Sequence, residues 1–148
     1  MTETQDLSTR QEQRSSNLLI GLTITLHALN HMISGGIPVL YPDIVDEFNM
    51  NYAQLGFLNS ASSLSTGFPQ MFVGFLRRWF SGRVLISVGN IINSIFNILA
   101  SLTGNFYQFI TVRVLSGIGS SPQHPVGASL ITSNTEVSKR GQFLGLNQ

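Results

Sequence analysis

Four stretches of this chain, residues 15–42, 48–76, 84–112 and 114–135, carry no charged residue. The hydrocarbon core of a bilayer is about 30 Å thick, and about 20 helical residues cross it. Each stretch is long enough for one crossing, whereas a core helix of a soluble domain runs about 10–14 apolar residues and rarely recurs in this way. The pattern predicts an all-α, polytopic bundle embedded in the lipid bilayer. Composition agrees, because 10% of residues are charged against about 25% in an ordinary soluble domain. The 43% hydrophobic content excludes a disordered tail. A net charge of +1 leaves no electrostatic footprint for nucleic acid. With no Cys, disulfide frameworks and thiolate metal sites are excluded.

The spans are expected at about 17–41, 52–76, 83–103 and 106–133, behind a tail of residues 1–16. That tail mixes Glu3, Asp6, Arg10, Glu12 and Arg14 and leads into an apolar stretch too long for a cleavable signal peptide. Lys and Arg set the orientation. Arg10 and Arg14 lie in the tail, Arg77, Arg78 and Arg83 in the second connection, Lys139 and Arg140 in the fourth. The first connection instead holds Asp43, Asp46 and Glu47, so the N-terminus is expected on the cytoplasmic side of the cell membrane. Residues 141–148 read as the start of a fifth helix too short to cross. The expectation is a fragment whose partners include the missing C-terminal helices of the same chain.

At about 100° per residue, Thr23, His27, Asn30, His31 and Ser34 share one face of the first span, with Leu22, Leu26, Leu29 and Ile33 opposite. Gly35, Gly36 and Pro38 mark a place for this helix to bend or break. In the second span Asn59, Ser63, Thr66 and Gln70 form a polar stripe beside Gly56, Gly67 and Gly74, a glycine column suited to close helix approach. The third span's stripe of Ser87, Asn90, Ser94, Asn97 and Ser101 reads first as interhelical glue. The fourth span holds Arg113, which shares a face with Gly117, Ser120, His124 and Gly127 if the helix continues past Pro122; Pro125 is expected to interrupt it again.

Arg113 costs roughly 2.5–3.5 kcal/mol at a membrane centre, which makes it a functional candidate; the bland alternative is a structural pair or a base lifted to the interface. His27 and His31 have metal-ligand spacing, but no carboxylate or Cys accompanies them. No metal and no cofactor are expected, and a hydrogen-bonding or proton-carrying role in a polar cavity is favoured.

Three stretches give the chain a resemblance to the N-terminal part of a major facilitator superfamily transporter. Residues 37–43, followed by Gln54, Leu55, Gly56, Phe57 and Leu58, are similar to the end of helix one and the start of helix two. Gly74, Leu76 and Arg83 match the cytoplasmic Gly-x-Leu-x-Asp-Arg-type loop, although Arg78 stands where the acid is expected. Arg113, Gly117 and Gly119 resemble the helix-four Arg-x-x-x-Gly-x-Gly motif, whose Arg is implicated in proton coupling. His124-Pro125, with His27 and Asn30, resembles the fosmidomycin-resistance branch of drug effluxers, where His31 replaces a usual Asp.

The resemblance implies secondary active transport of a small solute by alternating access, proton-coupled and on the branch likeness a drug-exporting antiporter. Arg113 would sense substrate or a protonated partner, and His27, Asn30, His31, Asn59, Gln70 and His124 would line the cavity. An enzyme is not expected. The alternatives are an intramembrane hydrolase built on Ser120 or Ser121 with His124, and a complete four-helix multidrug exporter.

Overall fold

The computed structural model describes residues 3–147. Among them are seven α-helices, two 3-10 turns and no strand. Helix α1 (Glu3–Gly36) runs from the tail into the first apolar stretch without a break. It ends at the Gly35-Gly36 pair, where a 3-10 turn (Ile37–Leu40) with Pro38 in its first turn leads into α2 (Tyr41–Glu47). Asn49 then takes a positive φ of 48°, a conformation Asn tolerates better than most residues.

Helix α3 (Tyr52–Leu76) starts with a capping box. Asn51 Oδ1 accepts from the Gln54 amide, and Gln54 Oε1 accepts from the Asn51 amide, both at 2.9 Å. Ser81 caps α4 (Gly82–Ala100). That helix stops at Ala100 rather than at residue 103: the amides of Ser101, Leu102 and Thr103 bond three residues back in a tightened last turn, and the Ser101 and Thr103 hydroxyls donate to the same Ile98 and Ala100 carbonyls. Asn105 caps α5 (Phe106–Ser120).

The fourth apolar stretch is two helices. Pro122 has no N–H to continue the ladder, and α6 (Gln123–Asn134) begins directly after it. The expected second interruption at Pro125 does not occur. Pro125 sits in the first turn of α6, where amides have no intrahelical acceptor to lose. A 3-10 turn (Val137–Lys139) and α7 (Arg140–Leu146) complete the described chain.

Polar and apolar groups are arranged inside out with respect to a water-soluble domain. Thr23, His27, Asn30, Asn93, Ser116 and Gln123 are buried, while Leu18, Leu22, Leu64, Phe68, Phe72, Val88, Ile91, Ile95 and Ile98 are exposed. Soluble monomers rarely expose contiguous apolar faces of this extent, whereas lipid is their proper solvent. Residues 10–47 and α4 are long and apolar enough to cross a bilayer. The fold is a helical membrane bundle.

Two apolar cores cap its ends. Met50, Leu58, Phe106, Phe109 and Ile110 pack beside the acidic first connection. Val73, Ile86, Val126 and Leu130 pack at the other end, where Leu130 also lies beside Arg77, Arg78 and Arg83. There Ser16 donates to the Asn134 carbonyl at 2.7 Å, tying the tail to the end of α6.

Close helix approach uses glycines outside the expected column. A Cβ on Gly89 would stand 2.5 Å from the Gly119 carbonyl oxygen, and one on Gly119 would stand 2.6 Å from the Asn93 nitrogen. A Cβ on Gly117 would collide with the Ser65 hydroxyl of α3. A Cβ on Gly56, Gly67 or Gly74 would meet nothing within 4 Å, so the column does not mediate packing among the described residues.

Candidate functional site

Between the two cores, α1, α3, α4, α5 and α6 enclose a cavity of about 440 Å³. Its wall is the polar face of each helix. All seven residues singled out from the sequence, His27, Asn30, His31, Asn59, Gln70, Arg113 and His124, line it. The break at Ser121-Pro122 does not separate Arg113 from His124, and Gly117 and Ser120 stay on the same wall. Gly127 leaves this face and packs toward Thr23 and Asn147.

One hydrogen-bonded row crosses the cavity wall. Arg113 Nη1 donates to Asn97 Oδ1 at 2.6 Å, Asn97 Nδ2 to Asn93 Oδ1 at 2.8 Å, and Asn93 Nδ2 to Asn30 Oδ1 at 2.6 Å. Asn30 Nδ2 donates to Asn90 Oδ1 at 2.5 Å, Asn90 Nδ2 to Gln123 Oε1 at 3.0 Å, and Gln123 Nε2 to the Thr23 carbonyl at 3.4 Å. Ser116 joins from the side, donating to Asn93 Oδ1 and accepting from Asn97 Nδ2. The row links α5, α4, α1 and α6, and satisfies polar groups that would be costly without partners in a bundle.

Asn93, Gln123 and Ser116 are not among the sequence candidates. Asn93 has a signal in the spacing Asn90, Asn93, Asn97, but Ser87 and Ser94 draw the apparent stripe to the other flank, and both serines are exposed. Asn90 and Asn97 do bind helices together, as the glue reading of the third span expects.

Charge in the cavity is one-sided. Arg113 is its one fixed charge among the lining residues, and no carboxylate lines it. The three histidines gather at one place. His27 and His31, on successive turns of α1, bring their Nε2 atoms to 3.0 Å. His124 at the start of α6 approaches edge-on, with ring centroids 4.7 Å from His27 and 5.6 Å from His31.

The loop-motif residues stay away from the cavity. Arg83 is exposed, Leu76 is on the surface, and the Arg77 guanidinium lies over Gly82. Arg78, in the motif's acidic position, stands over the Phe75 ring at 5.9 Å, a cation–π contact in place of an ion pair. The serines needed for a hydrolase are committed elsewhere. Ser120 donates to the Gly117 carbonyl and Ser121 to the Ile118 carbonyl, and neither bonds to His124 among the described residues.

A family model described as Major Facilitator Superfamily matches residues 23–148. The chain belongs to this superfamily, a family of integral membrane transporters. It is similar to a probable L-galactonate transporter of Escherichia coli, 28% identical over 79% of this chain and 26% of that protein. It is also similar to the fosmidomycin resistance protein of Escherichia coli, 28% identical over 76% of this chain and 28% of that protein. A probable sulfoacetate transporter of Cupriavidus necator is 21% identical over 93% of this chain and 32% of its own length. The chain thus spans about a quarter to a third of the curated relatives it matches. No solved structure matches it significantly.

Proposed function

We propose that this chain forms part of a secondary active transporter that moves a small organic anion across the cell membrane by alternating access. The observation that carries the reading is the cavity, which lies among the helices, is lined by amides and hydroxyls, and has Arg113 as its one fixed charge with no carboxylate opposite. Such a site neutralises a solute's negative charge and rejects cations. Galactonate and sulfoacetate, named for two of the relatives, both carry carboxylates.

Four spans fit this reading, with α5 and α6 together making the fourth. The broken segment then exposes main-chain groups only where they pack on protein or line the cavity. Basic residues of the tail and of the second and fourth connections gather at one end of the bundle, which supports a cytoplasmic N-terminus. Coupling to protons belongs to the same proposal through the resemblance of Arg113 to the helix-four Arg of proton-coupled members. The likeness to a fosmidomycin resistance protein favours export as a second direction of travel.

The test is transport by the full-length protein in proteoliposomes, with L-galactonate and sulfoacetate as probes, with and without a proton gradient. Arg113→Ala and His124→Ala should each reduce gradient-driven anion flux by at least about tenfold, and a neutral sugar should not be carried. Unchanged coupled flux in both variants at matched protein levels removes the site assignment.

A further inference from the structure

We propose that His27, His31 and His124 form a binding site for a divalent transition-metal ion of the zinc class. Each offers one ring nitrogen, and these three atoms all lie within 4.8 Å of one another. Tetrahedral zinc with Zn–N bonds of about 2.0–2.1 Å places ligand nitrogens about 3.3 Å apart. His27 and His31 are already at 3.0 Å, and closing the widest gap takes roughly 1.5 Å, within reach of side-chain rotation. The i, i+4 spacing on α1 supplies the paired ligands, as in helical zinc sites, and the fold adds the third ligand that the sequence spacing alone lacks.

A second observation points to a missing partner. His27 is 1% exposed, and its Nδ1 has no hydrogen bond among the described residues. Its Nε2 lies 3.0 Å from His31 Nε2, so the two rings present ligand atoms to one point. Asn147 stands beside the His27 ring and is buried. This is the position from which an amide oxygen can orient a ligating imidazole. A metal ion bound by imidazole lone pairs gives the three rings a common partner.

Ligand chemistry selects the ion. Three imidazoles and no carboxylate suit Zn²⁺, Co²⁺, Ni²⁺ or Cu²⁺, and disfavour Mg²⁺ and Ca²⁺, which require oxygen. His31 is exposed, giving the ion a way in from the cavity. A fourth coordination position remains for water or an oxyanion. The inference goes beyond the transport reading and stands on the geometry of the three rings.

The experiment uses the full-length protein in detergent, stripped with chelator and titrated with Co²⁺ by visible absorption and with Zn²⁺ by calorimetry. One ion per chain is expected, with the intense d–d bands of a tetrahedral site. His31→Gln, at an exposed position, and His124→Gln should each weaken Zn²⁺ binding by at least about tenfold while the protein elutes as a single folded species. Excess Ca²⁺ should leave the Co²⁺ bands in place. Zn²⁺ affinity unchanged within twofold in both variants, or displacement of Co²⁺ by Ca²⁺, overturns the proposal. Absence of anion flux in the wild-type protein, with metal binding intact, counts against the transport reading alone.

Discussion

Arg113 donates from Nη1 to the Oδ1 of Asn97 at 2.6 Å, so the intramembrane cation is held by a neutral amide. Asn97 is itself fixed by the Asn93 and Ser116 side chains. A hydrogen bond to a charged group is worth about 1.5–3 kcal/mol, comparable with the roughly 2.5–3.5 kcal/mol cost of placing Arg at a membrane centre. The guanidinium keeps its full charge for the cavity, which an ion pair would have cancelled.

That arrangement separates charge from shape. Arg113→Lys keeps the positive charge but loses the planar fork, which can hold Asn97 and a carboxylate together. Initial rates of anion flux at low solute concentration should fall by about tenfold in Arg113→Lys and further in Arg113→Ala. Equal rates in wild type and Arg113→Lys would show that the fork has no role.

Asn93→Leu tests the amide row at its most connected point. It leaves Asn30 Oδ1 and the Ser116 hydroxyl donor short of partners, while Asn97 Nδ2 keeps the Asn93 carbonyl and Ser116 Oγ. Each unmet buried group costs about 1–3 kcal/mol, so a loss of about 2 kcal/mol or more is expected, read as a lower unfolding midpoint of the purified full-length protein. Ser94→Leu, at the exposed neighbouring position, should leave the midpoint nearly unchanged.

The two sets of glycines should respond in opposite directions. Gly119→Ala drives a methyl group against the main chain at Asn93 and should destabilise by about 1–3 kcal/mol. Gly74→Ala meets nothing within 4 Å and should stabilise by about 0.5–1 kcal/mol through helix propensity. Thermal unfolding of both variants checks the contrast.

The capping box at the start of α3 gives a local prediction. Asn51→Ala should cost about 1 kcal/mol. Because Asn51 and Gln54 bond reciprocally, the double variant with Gln54→Ala should cost less than the two single effects added, by about 0.5 kcal/mol or more. Strict additivity in chemical denaturation would deny the box.

Much of the bundle is legible in the sequence because lipid imposes simple rules on charge and length. The faces of α1 and α3 follow from helical angles alone, and His27, Asn30, Asn59 and Gln70 all line one cavity. What helical angles do not give is which helix faces which. The Gly56, Gly67 and Gly74 column has the pattern of a packing face, yet among the described residues the neighbours that demand glycine sit opposite Gly82, Gly89, Gly117 and Gly119. Asn93 is hidden because a run of serines shifts the apparent centre of its stripe. The gathering of His124 with His27 and His31 depends on how α6 packs on α1, and angular arithmetic on one helix says nothing about a neighbour. Pro122 and Pro125 look alike in the sequence, and only their positions relative to a helix start make one a break and the other harmless.

The amide row from Arg113 to Thr23 also has a polarity. It begins at a group that can only donate and ends at a carbonyl that can only accept. No amide between them can turn over alone without setting donor against donor and acceptor against acceptor. The five side-chain amides of the row therefore behave as one frozen line of dipoles, each polarising the next. Their positive ends point toward Gln123, so the field of Arg113 is carried across the bundle to the start of α6. The row therefore adds its own dipoles to the charge of Arg113 in one direction, toward the helix start that carries His124.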